Sequence, residues 1–179
     1  MIKGIILLAD GFEEVEALQT YDVLSRNKNF DVALVSINGK EAISSHHLHL
    51  TNLININDIN SNDYSFLCLP GGKRGVDNLA LSQRVKELVL EFAKDGKLLA
   101  MICAAPSIAI DLGLLENKKF TCFPGFQRGK ENYFNIGVVR DENFITGHSM
   151  GYTLEFAKQI IRYYFGEKGV DDIKEGIYG

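Results

Sequence analysis

Tryptophan is absent from this 179-residue chain, and proline and cysteine occur three times each. An odd set of widely spaced cysteines, Cys68, Cys103 and Cys122, does not make a disulfide framework and points to free thiols in a reducing compartment. Positive charge is not in excess. Nineteen Lys and Arg face 23 Asp and Glu, for a formal net charge of −4, so a broad electrostatic grip on nucleic acid or anionic lipid has no compositional basis. Long apolar runs are missing as well. The run from Ile5 to Ala9 is too short for a signal-peptide core and far too short to span a bilayer. These absences predict a cytoplasmic protein whose partners are small molecules or other proteins. With no repeat, linker or composition shift, residues 1–179 are read as one domain.

What is present is an ordinary globular balance, 46 % hydrophobic and 23 % charged residues, so the chain is expected to fold by burying apolar surface. Short apolar runs alternate with segments of helical period, the pattern of parallel strands joined by crossover helices. Strands are predicted over Ile5–Ala9, Asp31–Ile37, Phe66–Leu69, from Leu98 to Ile102, and over Ile136–Val139 and Phe144–Thr146. Stripes at helical spacing (Val85, Leu88, Val89, Phe92, Ala93, and Phe156, Ala157, Ile160, Ile161, Tyr164, Phe165) predict the helices behind them. The stretch from Asn38 to Asn62 reads as turns with an antiparallel excursion. The sum is a three-layer α/β domain.

Cys103 stands where the fully apolar strand Leu98–Ile102 gives way to a helix with Pro106 in its first turn. Small Ala104 and Ala105 permit the tight bend that exposes a nucleophile at the carboxyl edge of a sheet, and a helix N-terminus favours thiolate over thiol. The competing reading is a buried, inert cysteine. Pro70-Gly71-Gly72 closes the neighbouring strand, and its glycines are either a simple turn or, with Ala104, a nest of backbone N–H groups for an oxyanion. Glu16 shares a first helical turn with Glu13 and Glu14, where carboxylates are ordinarily solvated. Cys68 reads as a core residue, and Cys122 has no assigned role. His46, His47 and His49 form a dense trio without a CxxC or HExxH pattern, so no metal site is expected.

The motifs Leu7 to Glu16, Leu69-Pro70-Gly71-Gly72 and Ile102-Cys103-Ala104-Ala105-Pro106, in this order, resemble the DJ-1/ThiJ/PfpI superfamily, and its DJ-1 (ThiJ) branch in particular. The likeness runs over essentially the whole chain, including Ser36 to Lys40 and Thr153 to Ala157. It implies a flavodoxin-like three-layer sandwich with a mostly parallel central sheet, commonly a homodimer, with a reactive cysteine at Cys103. It also implies a protonated carboxyl at Glu16 hydrogen-bonded to the sulfur, with Gly71 and Gly72 beside it. Arg26 matches an arginine near the dimer interface. One position departs from the pattern: Phe123, before Pro124, stands where many members carry a histidine, so the usual Cys-His dyad is not available. His148, after Thr146-Gly147, matches a polar pocket position and, with Phe123, is a candidate pocket residue.

Two function classes follow. In the first, a cofactor-independent glyoxalase or deglycase, the Cys103 thiolate adds to an α-oxoaldehyde such as methylglyoxal and Glu16 shuttles a proton from carbon to the neighbouring oxygen. In the second, Cys103 is oxidised to sulfenic or sulfinic acid and alters partner affinity without catalysis. A cysteine hydrolase or peptidase is disfavoured by the missing histidine.

Overall fold

Side chains alternate between two faces along a strand, so a strand without polar residues needs a cover on both sides. The computed structural model describes residues 1–179 and supplies those covers. Its elements are β1 (Ile2–Leu8), α1 (Glu14–Ser25), β2 (Phe30–Ser36), β3 (Glu41–Ile43), β4 (His49–Thr51), β5 (Ile54–Asn55) and β6 (Phe66–Leu69). There follow α2 (Lys73–Leu81), α3 (Gln83–Lys94), β7 (Leu98–Ile102), α4 (Pro106–Asp111), β8 (Val138–Asp141), β9 (Phe144–Gly147) and α5 (Thr153–Tyr178). The seven-stranded sheet has the order β5-β2-β1-β6-β7-β9-β8. All its pairs are parallel except β8 with β9.

The alternation divides the core into two layers. Ile5 and Leu7 of β1, Leu67 and Leu69 of β6, and Leu99 and Met101 of β7 face a cluster completed by Val85, Leu88 and Phe92 of α3 and Ile108 of α4. Their neighbours Ile6, Leu8, Phe66, Cys68, Ala100 and Ile102 face the other cluster, closed by Ala17 and Leu24 of α1 and Phe156 and Ile160 of α5. This is the flavodoxin-like sandwich with a mostly parallel sheet. The chain leaves β1 toward β2 on one side and returns through β6 on the other. The carboxyl ends of β1 and β6 therefore flank a topological switch point, where open α/β sheets place their ligands.

Several boundaries differ from the sequence reading. β1 starts at Ile2 because it pairs with β2 from its first residue. Helix α2 has no counterpart in that reading: exposed Lys73 and Arg74 and an internal Gly75 hide its apolar face. Gly75 is there for space, since a Cβ on it would lie 2.8 Å from Phe12 Cα. The antiparallel excursion is a small hairpin, with Glu41 opposite Thr51 and Ile43 opposite His49. The apolar stripe of α5 runs to Phe165. There Gly166 takes non-helical angles (φ 62°, ψ −161°) and the chain kinks before Glu167–Tyr178. Arg26 binds Asp22 and donates to the Gly176 carbonyl at 2.6 Å, tying α1 to this last segment within one chain. No helix is long and apolar enough to cross a membrane.

Candidate active site

Parallel β1, β6 and β7 end at the same edge of the sheet, and each is followed by a loop that supplies one part of the site. After β1, the Glu13 side chain accepts the Glu16 N–H at 2.7 Å and so caps α1. That capped turn points Glu16 inward on the same helical face as Ala17, Thr20, Val23 and Leu24, and its residue exposure is 0 %. Glu13 and Glu14 are half-buried rather than solvated, and they serve the helix end, with Glu14 bound to Ser45 and His46. Glu16 alone is taken out of solvent.

After β6, Gly71 and Gly72 join this loop. The Gly71 N–H donates to Glu16 Oε2 at 2.7 Å, and the Gly71 carbonyl accepts the Glu13 N–H at 3.0 Å. Glycine is required by contact. A Cβ on Gly71 would lie 2.5 Å from both Cys103 Cβ and Glu16 Oε2 and 3.1 Å from the sulfur. Carboxyl and thiol thus converge on one point against bare backbone. Gly72 has φ 85°, and a Cβ there would meet the Gly11 carbonyl at 2.4 Å.

After β7, Cys103 sits at φ +64°, a left-handed conformation uncommon for a residue with a side chain. The strain is held from two sides. Its N–H donates to the Gly147 carbonyl at 2.9 Å, and its carbonyl accepts the Phe123 N–H at 2.8 Å. Buried Ala104 and Ala105 turn the chain into α4 with Pro106 at its start. Backbone N–H groups of Gly72 and Ala104 lie near the sulfur and oppose the rise of its pKa. Of the residues expected to form a nest, Gly71 gives its N–H to the Glu16 carboxyl, while Gly72 and Ala104 flank the sulfur.

The electrostatics bring a correction. Burial raises the Glu16 carboxyl to about 7, helped by the charge of Glu13 and opposed by the Gly71 N–H and Cys103. Burial, together with the charge and hydrogen bond of Glu16, raises the Cys103 thiol to about 12, against the two backbone donors. The helix end does not by itself make this cysteine acidic. α4 has only six residues, and Pro106 brings no N–H. The two groups instead hold protons jointly: both are neutral at low pH, and the first proton lost on raising pH belongs to the pair. A thiolate beside a neutral carboxyl is one form of that singly charged pair, favoured by the nearby backbone N–H groups of Gly72 and Ala104.

Cys68 and Cys122 are buried, and burial raises both thiols, Cys122 to about 12. Cys122 packs in the α3–α4 layer, whereas Cys103 packs against the α1–α5 layer. The other candidate pocket residues do reach the elbow. Phe123 adjoins it through its N–H, and His148 follows Gly147, whose carbonyl holds Cys103. Both His148 ring nitrogens have other partners, Asn135 Oδ1 at 2.9 Å and Ser149 Oγ at 3.1 Å. Asn135 and Tyr152, which packs edge-on to His148 at 5.8 Å, escape sequence reasoning because their segment has no periodic pattern. His46, His47 and His49 are not gathered: His46 pairs with Glu14, and no group of three His, Cys, Asp or Glu side chains is arranged to hold a metal ion.

Comparison with known proteins agrees with this arrangement. The DJ-1/PfpI family model matches residues 3–163. Protein dj-1beta of Drosophila melanogaster is 29 % identical over 180 residues, covering 98 % of this chain and 96 % of the relative. Protein DJ-1 homolog B of Arabidopsis thaliana is 32 % identical over 170 residues, covering 93 % of this chain, which spans only 39 % of that longer protein. A deglycase of Pyrococcus abyssi is 27 % identical over 169 residues, 90 % of this chain and 98 % of the relative. Among solved structures, a mutant of a DJ-1 superfamily protein from Salmonella typhimurium superposes with a TM-score of 0.92 at 29 % identity, over 99 % of this chain and 98 % of that one. The family model covers nine-tenths of the sequence, and the chain belongs to the DJ-1/PfpI family.

Proposed function

We propose that the protein is a cofactor-independent glyoxalase or deglycase acting on α-oxoaldehydes such as methylglyoxal. The observation that carries this reading is the strained Cys103, crowded against Gly71 together with a buried Glu16 carboxyl that is raised to about 7. The thiolate adds to the aldehyde carbon, forming a C–S bond, and the carbonyl electron pair becomes an oxyanion that takes the Glu16 proton. The Glu16 carboxylate then removes the hydrogen on that carbon as a proton, and the resulting enediol is reprotonated at the adjacent carbon to leave a thioester. Water cleaves the thioester, the C–S bond breaks, and a hydroxyacid and the thiolate are released. The net reaction adds one water and needs no oxidant. A carboxyl poised near 7 suits a group that both gives and takes a proton at neutral pH. Similarity to proteins named deglycases supports the same class of chemistry. The experiment is lactate released per chain from excess methylglyoxal: many equivalents are expected, and turnover that survives Cys103→Ser contradicts the mechanism.

A second reading, a redox-responsive protein without turnover, is favoured by one observation. Cys103 is the only cysteine not fully buried. Graded peroxide followed by intact-mass and peptide analysis tests it: oxygen is expected first on Cys103, and prior oxidation of Cys68 or Cys122 removes it. The homodimer implied by the family resemblance is part of this proposal and is read from the mass in solution.

A further inference from the structure

Exposed large apolar side chains are unevenly distributed over this molecule. Five of them, Phe123, Phe134, Ile136, Met150 and Tyr152, belong to the short stretch 123–152 that borders the elbow. Within it, four rings form a row. Phe126 packs edge-on to Phe123 at 6.5 Å, Phe123 lies 6.4 Å from His148, and His148 packs edge-on to Tyr152 at 5.8 Å. The row is fixed at several points. His148 is held by Asn135 and Ser149. Tyr152 rests on bare backbone, since a Cβ on Gly137 would lie 2.3 Å from its ring. Phe123 is bound to Cys103 through its backbone, yet its side chain keeps 44 % of its surface exposed. Rigid aromatic surface left open next to a nucleophile is a binding feature rather than a core feature.

The direction a substrate takes from the sulfur follows from packing. On the α1 and β6 side, Gly71 and Glu16 crowd Cys103 so closely that not even a methyl group fits between them. Phe123 and Gly147, the residue before His148, are the ones bonded to the Cys103 backbone, so the ends of the ring row adjoin the elbow from other segments. We propose that this ring row is a subsite for a flat apolar substituent on the carbonyl substrate, so that the protein selects aryl α-oxoaldehydes over methylglyoxal, with Phe123 as the specificity-determining side chain. The proposal rests on the reading of Cys103 as a carbonyl-directed nucleophile. Edge-to-face contact with one or two rings gives a preference of about 3- to 10-fold.

The test uses two α-bromoketones, 2-bromoacetophenone and bromoacetone, on the full chain. In each the Cys103 thiolate forms a C–S bond to the methylene carbon and bromide leaves, so no turnover is needed. Rates of single modification at Cys103 are followed by intact mass and divided by each reagent's rate with glutathione. The normalised aryl-to-methyl ratio is expected at about 3 to 10, falling to about 1 in Phe123→Ala and retained in Phe123→Tyr. Tyr152→Ala, a second exposed ring, is expected to lower it in the same direction. A ratio near 1 in the unaltered protein, or one untouched by Phe123→Ala, overturns the subsite. A dimer in light scattering together with a ratio near 1 overturns it in favour of a row covered by a second copy. Failure of the glyoxalase reading is separate, since it shows as absent lactate with the bromoketone ratio intact.

Discussion

Replacing Glu16 by glutamine should change how the stability of the protein depends on pH. The Glu16 carboxyl goes from an ordinary value of 4.5 to about 7 because folding buries it. A carboxyl raised in the folded state favours folding only while it is protonated. Its contribution is complete below pH 4.5, declines as pH rises, and is gone once pH has passed through 7. The shift corresponds to about 3 kcal/mol between the two limits, or roughly 6 to 12 °C of melting temperature for a chain of this size. Glutamine keeps an acceptor for the Gly71 N–H and carries no charge at any pH. Urea unfolding at pH 5 and pH 8 is the assay, and the quantity read is the difference between the two proteins in their pH dependence. The unaltered protein should lose about 2 to 3 kcal/mol more than Glu16→Gln over this interval, part of the full change having occurred by pH 5. The reactivity of Cys103 toward iodoacetamide should change as well: the charge of Glu16 helps to raise the thiol, so its loss in Glu16→Gln moves the rise of reactivity with pH to lower pH. Identical pH dependence of stability in both proteins would refute the argument, because it would mean that burial does not hold this carboxyl neutral.

Other perturbations follow from the same contacts. Gly71→Ala forces a methyl group to within 2.5 Å of Cys103 Cβ and Glu16 Oε2; a destabilisation of about 1 to 3 kcal/mol and loss of lactate production are expected, and a fully active variant would contradict the crowding. Peroxide should add one and then two oxygens to Cys103 without joining it to Cys122, because the two pack into opposite layers; a Cys103–Cys122 disulfide found by non-reducing peptide mapping would be the opposing result. Arg26→Ala removes the bond to the Gly176 carbonyl, so hydrogen exchange should accelerate in Glu167–Tyr178 while the central strands stay protected. Uniform exchange throughout the variant would show that this tie is not local.

Much of this protein is determined locally. The all-apolar runs Phe66–Leu69 and Leu98–Ile102 can only be central strands, since any other placement would leave one face uncovered, and the stripes of α3 and α5 name the faces that cover them. Cys103 is legible too, because a small-residue bend between such a strand and a proline-started helix leaves few conformations. Helix α2 was hidden, since Gly75 answers to the distant Phe12 and not to its own neighbours. Glu16 shows the limit most clearly. Its sequence neighbours Glu13 and Glu14 have the same chemistry and the same local helix, yet only Glu16 turns to the side where β6 delivers Gly71 and β7 delivers Cys103. Desolvation and the proton shared with the thiol come from chain segments 55 and 87 residues away in sequence. Local spacing therefore sets which residues lie on which face, whereas the pKa values and the groups that crowd the sulfur depend on how close unrelated segments come, and only the folded sheet brings them together.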